Sequence, residues 1–444
     1  MALRILLVRH GLSSFNIEHR VQGRDDLSSL TSEGHDQARR CGEALRELPL
    51  QAAYTSPLSR ARDTAASLLT SHGGGLLAEQ DETLLEIDLA PWSGLSREEL
   101  GQRFPEAYRI WRRAPEQLQL TRADGSTYAP VPELIGQAGR FLDGLLARHP
   151  DPSIDQTVLV VAHNAILRAL VLQLLQLPAA MFQRLRFDNA SISVFNLERR
   201  SDGGRTVQVE LLNGTAHLGQ ALPPRSEGPR LLLVRHGETD WNRQGRFQGQ
   251  IDIPLNDNGR LQAEAAARFL ADVEIHRAYT SSMARPRQTA EAILEGRRAI
   301  PLVSQQGLVE IGHGLWEGCL ESEIAATWPE LLADWQRSPQ TVQMPEGETI
   351  HDVWSRSCRN WGTIAASLEP SETALVVAHD AVNKTILCDL LGLGPADIWA
   401  IKQGNGAVTV IDYPAGADRH PLVSCLNLTA HLGGVLDRTA AGAL

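Results

Sequence analysis

The chain has 444 residues, 43% hydrophobic and 21% charged, with 53 acidic side chains against 42 basic ones and a net charge of −11. This composition excludes a disordered chain, and the length suggests two or three domains. The acidic balance argues against nucleic acid or an anionic membrane as partner, while five cysteines with no CxxC pair fit neither a disulfide framework nor a thiolate zinc site, and point to a reducing, cytoplasmic setting.

The first element in chain order is a buried strand. ILLV (5–8) is a continuous apolar run, and Arg9, His10 and Gly11 follow it directly. The opening MALRILLVRHG lacks the apolar run of a signal peptide, and no stretch is apolar enough to cross a membrane as a helix. Ala38, Cys41, Leu45 and Leu48 then recur at helical spacing. A second helix is predicted from Arg60 through Thr64 to Leu68, with Arg60 in its first turn. Glu86 lies in LLEID, and TVLVVAHN (157–164) reads as another buried strand, ending at His163 and followed by a helix. TAHLG (215–219) closes this pattern.

The whole series then repeats. LLLVRHG (231–237) matches ILLVRHG at an offset of 226, and the second TAHLG (429–433) matches the first at 214. Between them come a helix marked by Leu261, Ala265, Phe269 and Val273, then Arg285 in TSSMAR, Glu310 in VEI, and the strand TALVVAHD (373–380) ending at His379. Matches in one order with a slowly drifting offset mark a tandem duplication. The expected domains are 1–222 and 230–444, joined by a Pro- and Gly-containing linker over 223–229. Alternating strands and helices predict an α/β fold: two tandem three-layer α/β/α domains with mainly parallel sheets.

Each half places charged residues directly after buried strands, at the carboxyl edge where open α/β sheets bind ligands. The matched sets are Arg9, His10, Arg60, Glu86 and His163, and Arg235, His236, Arg285, Glu310 and His379. Two guanidinium forks suit a tetrahedral oxyanion, a neutral imidazole is a competent nucleophile toward phosphorus, and a carboxyl can protonate a departing alkoxide. The arginines disfavour a metal at the same point, and HExxH, GxSxG and P-loop motifs are missing. No metal is therefore expected.

On these residues both halves resemble the histidine phosphatase superfamily, in its phosphoglycerate mutase-like branch. The motifs are RHGETDWNRQGRFQGQIDIPLNDNGRLQA (235–263), SSMARPRQTA (281–290), PEGET (345–349) and VVAHD (376–380), with RHGLSSFN, TSPLSRARDTA, LLEIDLAPWSG and VVAHN in the first half. The resemblance implies that His10 and His236 become phosphohistidines, that Arg9, Arg60 and His163 line one phosphate pocket, and that Arg235, Arg285 and His379 line the other. It implies Glu86 and Glu310 as proton donors, Asn16 and Asn242 as substrate contacts, and Gln22-Gly23 and Gln248-Gly249 as loops closing over phosphate.

Three departures bear on selectivity. Asn164 and Asp380 stand where the family usually has glycine, Leu12 stands opposite Glu238, and Pro132-Glu133-Leu134 stands opposite Gly347-Glu348-Thr349. Only 77 residues separate Glu86 from His163, and 69 separate Glu310 from His379. Both are short for the cap of a mutase, so the reading is a metal-independent phosphatase of small phosphorylated metabolites. Arg112 and Arg113 resemble cap arginines, or are simply solvated. The alternatives are a phosphoglycerate mutase primed by 2,3-bisphosphoglycerate, which is otherwise not required, or one catalytic domain beside a ligand-binding one. The tandem arrangement also resembles chains of the 2-carboxy-D-arabinitol-1-phosphatase type, which implies a sugar-acid phosphate. His217 and His431, in the TAHLG motifs, are expected to be structural.

Overall fold

In the computed structural model, which describes residues 3–150, 155–199, 204–297, 300–414 and 420–440, the chain divides into two compact units. These are Met1–Pro223 with Gly416–Ser424, and Pro224–Ala415 with Cys425–Leu444. The stretch expected as a linker belongs to the second unit from Pro224 onward. Its Arg225 donates to Thr373 Oγ1 at 3.0 Å and to the carbonyl of Glu372 at 2.8 Å.

In the first unit the strand Leu3–Arg9 lies mid-sheet. Gln156–Ala162, Ala52–Thr55 and Glu79–Gln80 follow on one side, all parallel. Ile192–Arg199 and Arg205–Gly214 follow antiparallel on the other. The second unit repeats the order. Arg230–Arg235 pairs in parallel with Thr373–Ala378, beyond which lie Arg277–Thr280 and Leu302–Ser304, and antiparallel with Val408–Asp412. Strands buried on both faces need apolar side chains throughout, and Ile5, Leu6, Leu7, Val8 and Leu231 to Val234 are all at most 1% exposed. Paired helices supply the outer layers: Ser32–Ala44 against Ser59–His72, and Pro130–Arg148 against Asn164–Leu175.

Register positions the chemistry. Arg9 pairs with Ala162, so His10 and His163 leave neighbouring strands at the same level; Arg235 pairs with Ala378, and His236 and His379 do likewise. The glycine after His10 and the one after His236 are dictated by a close approach. A Cβ on Gly11 would stand 2.4 Å from the carbonyl oxygen of Gly34, and one on Gly237 2.3 Å from that of Gly259.

One helical face differs from its sequence reading. Leu261 is 60% exposed, and the buried face of Asp257–Phe269 is Gly259, Gln262, Ala263 and Ala266. Small residues let this helix pack closely against Ala284–Leu294, which outweighs burying one leucine. Leu48 and Val273 lie beyond the ends of their helices, Ala44 and Phe269. Among the described residues no helix is long and apolar enough to cross a membrane.

Candidate active site

The paired histidines form the floor of each site, with ring centroids 5.2 Å apart in both halves. His10 Nδ1 lies 2.8 Å from the carbonyl of Gly11, and His236 Nδ1 lies 2.7 Å from that of Gly237. A carbonyl only accepts, so the ring proton sits on Nδ1 and the Nε2 lone pair points into the site. In the second half Arg285 Nε donates to that atom at 3.3 Å, which a protonated Nε2 could not accept. Burial first, then the adjacent arginines, hold all four histidines well below the usual imidazole range; for His163 and His379 the paired histidine adds to the effect. They are neutral at pH 7.

Each pocket arginine is anchored by backbone carbonyls, and three of the four keep a buried Nε without a partner. Arg60 comes from the first turn of Ser59–His72 and donates to the carbonyls of Gly23 and Asp25, both at 2.9 Å. Arg285 holds Gly249 at 2.8 Å and Ile251 at 3.3 Å in the same way. Arg9 binds the carbonyl of Phe187 at 2.7 Å, and Arg235 that of Gln403. The Nε atoms of Arg9, Arg60 and Arg235 and Gln248 Nε2 are buried donors without an acceptor, and His163 Nδ1 and both ring nitrogens of His379 have no hydrogen-bond partner. Buried donors without acceptors are costly unless a ligand meets them. Such a set in each half fits a phosphoryl group.

Asn16 and Asn242 are held by their oxygen ends, which presents Nδ2 outward. Asn16 Oδ1 accepts from Ser13 and from Asn189 at 3.0 Å, and Asn242 Oδ1 from Thr239 and from Asn405 at 3.3 Å. Gln22 and Gln248 accept from Ser13 and Thr239. Gly23 has φ of +54°, and a Cβ on Gly249 would collide with Glu317. In the first half Arg9, His10, Asn16, Gln22, Gly23, Arg60 and Glu86 all line one cavity of about 170 Å³.

The two carboxyls are seated differently. Glu86 accepts from the amides of Ile87 at 2.9 Å, Ala165 at 3.1 and 3.2 Å, and Ile166 at 3.1 Å, at the start of helix Asn164–Leu175. Glu310 accepts from Ile311 at 2.9 Å and Ala381 at 3.3 Å. Burial, and after it the neighbouring Asp380, push the Glu310 carboxyl above its ordinary range, which suits a proton donor.

Several residues bonded to the site escape a reading of the sequence by motif. Ser56 Oγ lies 2.8 Å from His163 Nε2. Thr64 and Thr289 receive the amides of Gly11 and Gly237 at 3.0 and 3.1 Å. Asn189 and Asn405 tie the turn at His10 and at His236 to the asparagine facing the site: Asn189 bonds the carbonyls of His10 and Gly11, and Asn405 that of His236. The carbonyls beside the carboxyls are held by one arginine and one glutamine, exchanged between halves. Arg24 donates to Glu86 O at 3.0 Å and Gln137 to Leu85 O at 2.7 Å, whereas Gln250 and Arg356 donate to Glu310 O at 3.1 and 2.9 Å. The available signal was the equal spacing of most such pairs in the two halves.

Other expected features lie off the site. Arg112 and Arg113 are exposed, and their neighbour Trp111 lines the cavity instead. Glu238, opposite Leu12, binds Arg243, Asn256 and Asn258. Glu348 pairs with Arg356 at 2.9 Å, whereas Glu133 pairs with Arg122 at 2.7 Å. His217 and His431 bond the carbonyls of Ala190 and Gly406, both at 3.0 Å, and so buttress the turns carrying Asn189 and Asn405. Burial lowers the pKa of each to about 4. Among the described residues no group of three or more His, Cys, Asp or Glu is arranged to hold a metal ion.

The family model for the histidine phosphatase superfamily (branch 1) matches residues 5–210 and again 231–424. A 2-carboxy-D-arabinitol-1-phosphatase of Triticum aestivum is 29% identical over 460 residues, covering 97% of this chain and 87% of the wheat protein. A probable 2-carboxy-D-arabinitol-1-phosphatase of Arabidopsis thaliana is 28% identical over 443 residues, covering 97% and 88%. Phosphoserine phosphatase 1 of Hydrogenobacter thermophilus is 30% identical over 204 residues, covering 46% of this chain and 94% of its own.

Proposed function

The chain belongs to branch 1 of the histidine phosphatase superfamily, and on that premise we propose that it hydrolyses phosphomonoesters of small sugars or sugar acids through a phosphohistidine, without a metal or other cofactor. The tandem relatives named as 2-carboxy-D-arabinitol-1-phosphatases support the sugar-acid class. The reading rests above all on the histidine whose Nδ1 is bonded to a backbone carbonyl, which leaves its Nε2 lone pair among unpaired cationic donors.

The Nε2 of His10 or His236 attacks phosphorus in line, and the bond to the ester oxygen breaks. Arg9, Arg60 and His163, or Arg235, Arg285 and His379, stabilise the equatorial oxygens as charge develops. The Glu86 or Glu310 carboxyl gives its proton to the leaving alkoxide. In the second step the same carboxylate takes a proton from water, which attacks phosphorus and returns the histidine to its neutral form.

Phosphate release over a panel of sugar and sugar-acid phosphates tests this. Release unaffected by EDTA and abolished in the His10→Ala/His236→Ala double variant is expected, with each single variant reporting the other site. Undiminished release by the double variant would refute the mechanism. Interconversion of 3- and 2-phosphoglycerate without release would replace it with a mutase primed by 2,3-bisphosphoglycerate.

A further inference from the structure

The two sites share their floor but not one wall. That wall is the first turn of the helix after each second histidine. In the first half it carries Asn164 and, one turn on, Arg168; in the second it carries Asp380 and Lys384. Arg168 lines the cavity with Asn164, its guanidinium 5.7 Å from the Phe182 ring centre, and its buried Nε has no acceptor. Lys384 is occupied, since its Nζ lies 2.9 Å from Asp380 Oδ2. Asp380 is 5% exposed, and its other oxygen, Oδ1, has no hydrogen-bond donor and lies 3.9 Å from the Arg235 guanidinium. The amide beside it, Ala381 N, holds Glu310, so Oδ1 lies between a phosphate-binding arginine and the proton donor.

We propose that this turn gives the two sites opposite selectivity: Arg168 selects leaving groups that carry a second anion, whereas Asp380 rejects that anion and accepts a hydrogen bond from a hydroxyl. A second anion in the first site meets a guanidinium with no carboxylate in ion-pair contact, although Glu86 and Asp188 act on it at longer range. In the second site it meets a buried carboxylate whose one neighbouring lysine is taken, and only a donor satisfies Oδ1. The chain would then act on two classes of phosphomonoester. This rests on the phosphatase reading.

3-Phosphoglycerate and glycerol 3-phosphate test it, because they share a skeleton and differ by a carboxylate against a hydroxymethyl group. In the full chain, His10→Glu silences the first site and His236→Glu the second, since a carboxylate at the nucleophile also repels phosphate. The preference ratio is read as kcat/KM and, independently of turnover, as calorimetric affinity. The first site is expected to favour 3-phosphoglycerate and the second glycerol 3-phosphate, each by about tenfold or more, the scale of one charged hydrogen bond. Asp380→Asn, which installs the residue of the first half, should move the second ratio toward the first by a similar factor; Asp380→Ser should do the same. Arg168→Gln should remove the first preference and Arg168→Lys retain most of it. Equal ratios at the two sites, ratios untouched by these substitutions, or no binding of either ligand would overturn the proposal. If ligands bind with the expected ratios but neither variant releases phosphate, the phosphatase reading alone falls.

Discussion

Replacing Arg285 with lysine keeps the charge of the second site and removes the fork. The guanidinium spans three acceptors: Gly249 O at 2.8 Å, Ile251 O at 3.3 Å and His236 Nε2 at 3.3 Å. An ammonium on a flexible stem is a point donor and cannot hold two loop carbonyls while meeting the nucleophile's substrate. At least two charge-assisted bonds are lost, each worth roughly 1.5–3 kcal/mol. The expected loss in transition-state stabilisation is therefore about 3–6 kcal/mol, or on the order of 10² to 10⁴ in kcat/KM. The assay is phosphate release by His10→Ala chains with and without Arg285→Lys, so that only the second site reports. Thermal melts of both chains separate lost fold from lost positioning. A kcat/KM within threefold of the parent, with the fold intact, would refute this account of the fork.

Glu310→Gln removes the proton donor, so in the same background kcat should fall by about 10² to 10⁴ for a sugar phosphate and much less for p-nitrophenyl phosphate, whose phenolate leaves unaided; equal losses would contradict the assignment. The raised pKa of the Glu310 carboxyl means that second-site turnover should decline as pH rises through that value, a limb that Glu310→Gln abolishes. Because His10, His163, His236 and His379 are all depressed in the folded chain, their stability contribution is complete above the unfolded imidazole pKa, about 6.5, and is lost on acidification as the unfolded chain takes up protons. Each costs up to about 1.4 kcal/mol per pH unit in that window, so calorimetry at pH 7.5 and 5.5 should show a marked fall in Tm. Gly237→Ala drives a Cβ to 2.3 Å from Gly259 O and should cost about 1–3 kcal/mol by denaturant melt while lowering second-site turnover. Unchanged activity would detach that contact from the nucleophile.

The residues bearing charge at strand ends were legible because two constraints coincide there. A buried strand must be apolar, so Arg9-His10 and His163 stand out against ILLV and VLVVA, and a duplicated chain shows each contrast twice. The helix at Asp257–Phe269 was harder to orient, since alanines and glycines leave its periodicity weak and close packing decided which face turned inward. The arginine and glutamine that brace Glu86 and Glu310 were invisible, because they have traded places between halves.

The sequence by itself determined the duplication, the α/β character and the matched histidine, arginine and glutamate sets, all of which depend on local apolarity and on order along the chain. Only the tertiary structure decided which edge of Arg9, Arg60 and Arg235 is left without a partner, and how Glu86 and Glu310 are seated. Those properties depend on hydrogen bonds between segments up to 178 residues apart, such as Arg9 to Phe187. No local pattern records such partners; strand register brings them together.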